Sequence, residues 1–158
     1  MPPTNEPADS ATVLIGGLAT FGLSGFETDV SAAARAALGA QSRTPADEAE
    51  ISVAFVDDAA IAALNLEWLG RDGATDVISF GLGTAPLVAD IYVSVDTARW
   101  NAKELGIDLR DELVRLVVHG VLHAAGYDHP EDEARGASEM FELQERVIGQ
   151  LLGGRPET

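Results

Sequence analysis

All three histidines of the chain fall within eleven residues, at positions 119, 123 and 129 of the run His-Gly-Val-Leu-His-Ala-Ala-Gly-Tyr-Asp-His. A separation of four places His119 and His123 on one face of a helix, about 5–6 Å apart at Cβ. Gly126 can adopt the left-handed backbone that ends a helix, so the chain can turn back and bring His129 to the other two. Any one of these residues alone would be read as an ordinary surface or core histidine. Together, three neutral imidazoles with an open fourth position suit a catalytic metal better than a sealed structural one. The chain has no cysteine, so nitrogen and oxygen must hold the ion. A purely structural site would need a fourth protein ligand, and the histidines are exhausted. We expect one divalent transition metal, Zn2+ first, with nickel, copper and iron also compatible with imidazole.

An ion held in this way polarises a phosphoryl or carbonyl oxygen and supplies a nucleophile at neutral pH, so hydrolysis is the reaction class to consider. The spacing also matches the H-E-x-x-H-x-x-G-x-x-H pattern of metzincin proteases, including the glycine at 126. The general-base glutamate of that pattern would stand at position 120, which is Gly120. Peptide hydrolysis there lacks its proton acceptor, which argues against a protease. Glu112 shares the histidine stripe but lies about 10 Å down the helix at 1.5 Å per residue, and it reads as a first-turn residue rather than a substitute base. Asp128 either orients an imidazole from behind or is a solvated loop residue.

The elements that must position these groups follow from pattern and punctuation. Val13–Ile15 reads as a first strand and Thr28–Leu38 as an alanine-rich helix, with a loop over Arg43–Glu48. Ile51–Val56 is β-branched and partly alternating, hence a strand. Asp57 or Asp58 caps a helix running to about Trp68, and Gly70–Gly73 is a turn. Asp76–Phe80 is a strand, Gly81–Thr84 a glycine-rich turn, and Ile91–Val95 another strand. The Gly81–Thr84 stretch lacks the Gly-Lys-Ser/Thr ending of a phosphate loop. Asp96 caps a helix that Gly106 stops. Asp108 caps the next, in which Leu109, Leu113, Leu116, Val117 and Gly120 share one side at 100° per residue and should face the core. His119 and His123 lie at the edge of that stripe, half sheltered. A last helix runs from about Glu131 to Leu152.

The chain of 158 residues, 46% hydrophobic and 23% charged, fits one soluble domain with a proper core. Val13–Phe26 is too short and glycine-rich to span a bilayer. Acidic Glu6 and Asp9 precede it and no Lys or Arg occurs before Arg35, so we expect no signal peptide and no membrane partner, with a cytoplasmic location as the default. Ten basic residues against 26 acidic ones give a net charge of −16. Such a surface repels nucleic acid at long range unless a metal or a local basic patch offsets it.

Beyond spacing alone, His119–His129 resembles the signature H-G-x-L-H-x-x-G-Y-D-H of the YbeY family, metal-dependent endoribonucleases and ribosomal-RNA maturation factors, and it matches every fixed position. Leu64-Asn65 and Thr75-Asp76-Val77-Ile78-Ser79-Phe80 resemble the family's L-N…T-D-V-L-S-F segment. Asp90-Ile91, Ser94–Ala98, Met140-Phe141 and Gln144-Glu145 extend the likeness, which runs from about residue 51 to 152.

The resemblance implies an α+β fold, a small mixed β-sheet packed with about five helices around a three-histidine metal cleft. The domain would span 12–152, between a mobile segment at 1–11 and a tail at 153–158. It implies His119, His123 and His129 as metal ligands, with Thr75, Asp76 and Ser79 near the substrate cleft, although a strand-end Thr-Asp is more often structural than catalytic. The function implied is a single-strand-specific endoribonuclease in small-subunit ribosomal-RNA maturation and ribosome quality control. Its partners would be single-stranded or ribosomal RNA and ribosome-assembly proteins, with no DNA expected.

The sequence departs from the family at two positions. Leu69 stands where members commonly carry an arginine held to be important for cleavage, and leucine cannot stabilise a phosphate's developing charge. Arg71, two residues on, could supply a guanidinium or be an exposed turn residue. Ala89 stands where a glycine is usual, suggesting an altered turn. A second reading therefore stays open: a ribosome-assembly factor that binds RNA or protein partners with little or no cleavage.

Overall fold

In Ile51, Val53 and Phe55 the apolar residues recur at every second position, and all three are buried while Ser52, Ala54 and Val56 between them are partly exposed. That period builds a strand with one face on a core, and it lies near the middle of the sheet. The computed structural model describes residues 10–127 and 134–153. In chain order these form β1 (Thr12–Gly16), α1 (Glu27–Ala40), β2 (Glu50–Val56), α2 (Asp58–Leu69), β3 (Val77–Thr84), β4 (Leu87–Ser94), α3 (Val95–Leu105), α4 (Leu109–Ala124) and α5 (Ala134–Leu152). Two short 3₁₀ turns, Ala19–Phe21 and Ser24–Phe26, precede α1.

The sheet has the order β1-β2-β4-β3, with β1, β2 and β4 parallel and β3 antiparallel to β4. The fold is α+β with a four-stranded mixed sheet and five α-helices among the described residues, as the sequence led us to expect. Among these residues no helix is long and apolar enough to cross a membrane.

Several boundaries differ from the sequence reading. The glycine-rich stretch Gly81–Thr84 is not a turn. It continues β3 as one arm of a hairpin, with an irregularity in register between Gly81 and Gly83. Glycine weakens the strand pattern that sequence reading relies on, yet ladder bonds to β4 carry the chain through. Ala89 likewise lies within β4, 1% exposed, and not in a turn. The cap of α3 is Ser94, whose hydroxyl accepts from the Thr97 amide at 3.2 Å, rather than Asp96. The Asp96 carboxylate instead accepts from the Asp58 amide at 3.0 Å. Asp58 in turn accepts from the hydroxyls of Ser94 and Thr97, each at 2.6 Å, so the starts of α2 and α3 are tied together. Those two hydroxyls hold the Asp58 carboxyl below its usual range. The expected start of the last helix at Glu131 lies outside the described residues.

Helix α4 is the centre of the molecule, packed against α1, α3, α5, β3 and β4. The sequence stripe through Leu113, Leu116, Val117 and Gly120 is buried, but so are Val114, Val118, Val121 and Leu122. A helix apolar on most of its circumference is an interior helix, which a single-stripe reading underestimates. Against the sheet the contact at Gly120 is tight. A Cβ built there would stand 2.9 Å from Ile91 Cγ2, 3.1 Å from Ser79 Oγ and 3.3 Å from Val77 Cγ2. The Ser79 hydroxyl donates to the Gly120 carbonyl at 2.8 Å, so strand side chains reach the helix backbone directly, with none from the helix in the way.

Gly120→Ala should therefore destabilise the protein despite a better helix former. Overpacking typically costs about 1–3 kcal/mol against a propensity gain of about 1 kcal/mol. We expect a net loss of roughly 1 kcal/mol, seen as a lower urea midpoint at unchanged slope. A raised midpoint would mean that β3 and β4 give way freely.

Candidate metal centre

The last two turns of α4 bring His119 and His123 together, with ring centroids 5.8 Å apart and ring planes at 87°. Both are half-buried, as their place at the edge of the apolar stripe implied. The helix then ends as Gly126 allows, with φ of 108°. The Gly126 amide donates to the His123 carbonyl at 3.0 Å and the Tyr127 amide to the Leu122 carbonyl at 3.1 Å. This is the Schellman pattern, and the apolar contact that usually accompanies it is available here from buried Leu122 and Tyr127. His129 and Asp128 lie outside the described residues. Among the described residues no group of three or more His, Cys, Asp or Glu side chains is placed to hold a metal.

The turn after α4 is held from an element far away in sequence. Arg43 lies over the Tyr127 ring, 4.1 Å from its centroid, and donates to the Gly126 carbonyl. It also pairs with Glu139 of α5 at 3.2 Å. The Tyr127 hydroxyl accepts from the Ser42 amide at 3.3 Å. Buried Gln41 shapes the loop that presents Arg43, accepting from the Arg43 and Thr44 amides at 3.0 Å each and donating to the Thr44 carbonyl at 2.8 Å. Sequence reading placed Arg43 only in a loop. Its partner lies 83 residues away, and no local pattern announces such a contact.

Gln144 was also missed as a site residue. Its Oε1 lies 2.8 Å from His119 Nδ1. A signal was present: Met140, Val147 and Ile148 form the buried stripe of α5, and Gln144 falls one turn after Met140 on the same side. A polar residue within an apolar helical face calls for a partner.

A polar band surrounds the first half of α4. Asn101 Nδ2 donates to Asp76 Oδ2 at 3.3 Å and to Glu112 Oε2 at 3.1 Å. Arg115 pairs with Glu112 at 3.5 Å and with Glu145 at 3.6 Å. Glu112 is a first-turn residue as expected, yet it is only 3% exposed. Burial raises its carboxyl above the usual range, reinforced by Asp76 and opposed by Asn101 and Arg115. Of the other residues singled out, Thr75 is half-buried just before β3, and Ser79 is engaged with α4 as described. Arg71 and Leu69 are exposed around the end of α2, Leu69 by 46%. There Asn65 pins the turn, its amide donating to the Gly73 carbonyl at 2.9 Å and its carbonyl accepting from the Arg71 amide at 3.2 Å.

The sequence profile of the family described as Endoribonuclease YbeY matches residues 24–152. The chain belongs to the YbeY family. It is 38% identical to Endoribonuclease YbeY of Persephonella marina over 111 residues, 66% of this chain and 72% of that one. It is 42% identical to the Rhizobium meliloti protein of the same name over 114 residues, 68% and 67% of the two chains. A Thermotoga maritima protein solved in solution superposes with a TM-score of 0.57 at 29% identity, covering 90% of this chain and 89% of that one. The family match thus spans β2, β3 and β4 of the sheet together with α4 and α5.

Acidification should reveal Glu112. Its folded form takes up a proton before the unfolded chain does, whose glutamates titrate at about 4.3. Its contribution to stability therefore rises as pH falls from neutrality toward that value. In Glu112→Gln this rise is absent. Urea unfolding of both proteins between pH 7.5 and 5 should show wild type gaining relative to the variant, and a constant difference would contradict the buried carboxyl.

Proposed function

We propose that this YbeY protein is a metal-dependent, single-strand-specific endoribonuclease acting in small-subunit ribosomal-RNA maturation and ribosome quality control. The observation that carries the reading is the pair of imidazoles on successive turns of α4, followed by the Gly126 turn, within a sequence that matches the family signature throughout. His119, His123 and His129 would hold one divalent transition metal, Zn2+ first. The donor set fits: two half-buried imidazoles lie side by side, and a third follows the turn in sequence. Such an ion, when bound, supplies Lewis-acid polarisation of a phosphoryl oxygen and a nucleophile at neutral pH.

The chain's own residues do the rest. Arg71 is the candidate catalytic cation, its guanidinium suited to a phosphate oxygen beside the scissile bond. Thr75, Asp76 and Ser79 are assigned to the substrate cleft; Asp76 is bonded to Asn101 and Ser79 to Gly120, which would hold both side chains in place there. Peptide hydrolysis is disfavoured by position as well as by residue type, because position 120 faces Ile91 and Ser79 rather than a cleft. RNA and ribosome-assembly proteins are the proposed partners, in the cytoplasm and without DNA.

The second reading, an assembly factor with little or no cleavage, is favoured by Leu69 at the family's arginine position and by the net charge of −16. Exposed Leu66 and Trp68 beside Leu69 make the end of α2 apolar.

The purified protein should hold about one transition metal per chain, as an open three-imidazole site implies, and His123→Ala should lose most of it. Elemental analysis finding equal metal in both proteins would refute the ligand assignment.

Leu69→Arg should raise single-turnover cleavage of an unstructured RNA. Removing a comparable transition-state donor costs on the order of 10²–10³-fold, and a new side chain without supporting contacts should recover less, roughly tenfold. The rates must be compared at fixed salt, with His119→Ala abolishing both. A high wild-type rate unchanged by the substitution would assign the role to Arg71. No cleavage by any variant would favour the assembly factor.

A further inference from the structure

We infer that Gln144 is a positioning residue for the metal centre, its amide oxygen accepting the Nδ1 proton of His119 and leaving Nε2 as the nitrogen offered to a metal. The inference rests on the metal-dependent reading above and adds to it the residue that sets the ligand's tautomer.

A neutral imidazole has one N–H and one lone pair, and the partner of one nitrogen decides what the other presents. At 2.8 Å the Gln144 oxygen is within ordinary hydrogen-bond distance of Nδ1. An acceptor there holds the proton on Nδ1, so the lone pair is on Nε2. The opposite arrangement, with the amide NH2 donating to Nδ1, would put the proton on Nε2 and spoil it as a ligand.

The oxygen is held on a braced element. Buried Met140, Val147 and Ile148 seat α5 on the core. On either side of Gln144, Arg115 pairs with Glu145 at 3.6 Å and Arg43 with Glu139 at 3.2 Å. Both pairs are partly exposed and contribute little stability singly, but they limit how α5 can shift along α4. His119 is therefore oriented from the helix behind it, and its ring stands at 87° to that of His123.

The test measures Zn2+ affinity by competition with a chromophoric chelator at pH 8, using wild type, Gln144→Leu, Gln144→Glu and His119→Ala. Loss of a partner that orients a metal-binding histidine typically weakens affinity about 10–100-fold. We expect Gln144→Leu to fall in that range while its metal-free unfolding midpoint stays near wild type. Gln144→Glu should bind at least as tightly as wild type, because a carboxylate can only accept. In Co2+-loaded protein the visible absorption bands should shift in Gln144→Leu and persist in Gln144→Glu. Nitrogen-15 NMR of the metal-free wild type reads the tautomer without any substitution, and the proton of His119 is expected on Nδ1. A proton on Nε2, equal affinity in wild type and Gln144→Leu, or equal loss in the Leu and Glu variants would each overturn the role of Gln144 and leave the metal reading standing. Failure of wild type itself to bind Zn2+ more tightly than His119→Ala would overturn the metal reading, and the inference with it.

Discussion

How closely α4 can lie on β3 and β4 decides the geometry of everything around the histidines. The approach is set at Gly120, where the helix backbone meets Ile91, Ser79 and Val77 with no side chain between. A helix seated so deeply buries residues on most of its sides, and the buried set from Leu113 to Leu122 reflects this. What remains for function is the narrow edge that turns away from sheet and core, and both histidines stand on it. An i, i+4 pair on a free helix would share its angular freedom. Here the helix cannot roll, because the sheet, α1 and α5 hold it on different sides. The spacing of two imidazoles thus becomes a fixed distance, which is what a metal site requires of its scaffold.

Seating a helix this way has a cost at its polar positions. Glu112 is drawn inside with the stripe, and a buried carboxylate needs partners. Asn101 of α3 and Arg115 one turn on in α4 supply them, and each of these also engages a second carboxylate, Asp76 and Glu145 respectively. Glu112 Oε1 nonetheless lacks a hydrogen bond of good geometry, consistent with a carboxyl whose proton is held more firmly than usual. This polar band joins the start of β3, where Thr75 and Asp76 lie, to the helix that presents the histidines. The strand-end Asp76 is structural here: its carboxylate accepts from Asn101, and its backbone carbonyl receives the Ser94 amide at 2.9 Å.

Much of this was legible in the sequence wherever the cause is local. The Gly126 turn, the Asp57 cap of α2 and the alternation of Ile51, Val53 and Phe55 follow from residue type and period, and the structure repeats them. The histidine pair was legible for the same reason, since helical spacing alone brings it together. What escaped depends on partners distant in the chain. The ladder between β3 and β4 overrides the glycines at 81 and 83. Ser94 outcompetes Asp96 as cap because Asp96 reaches across to α2. Arg43 reaches the Gly126 turn from a loop whose own pattern says only that it is a loop, whereas Gln144 left a trace as a polar residue on the apolar face of α5, without naming His119 as its partner.

The spacing shared with metzincins shows why a motif must be read through its surroundings. Two histidines four apart, followed by a glycine, can be presented by any helix, but the residue between them is useful only if it points the same way. In this fold position 120 points at the sheet, where a Cβ would meet Ile91, Ser79 and Val77. A glutamate there would break the packing before it could reach a substrate. The chemistry must therefore draw on groups that enter from other elements. Arg43, Arg110 and Arg115 are already paired with carboxylates, and the chain as a whole repels phosphate. In the proposed reading, short-range attraction for RNA falls to the ion itself and to Arg71 beyond the exposed end of α2, next to the leucine that replaces the family's arginine. In that reading the end of α2 tunes the rate, while the histidine edge is what makes the reaction possible at all.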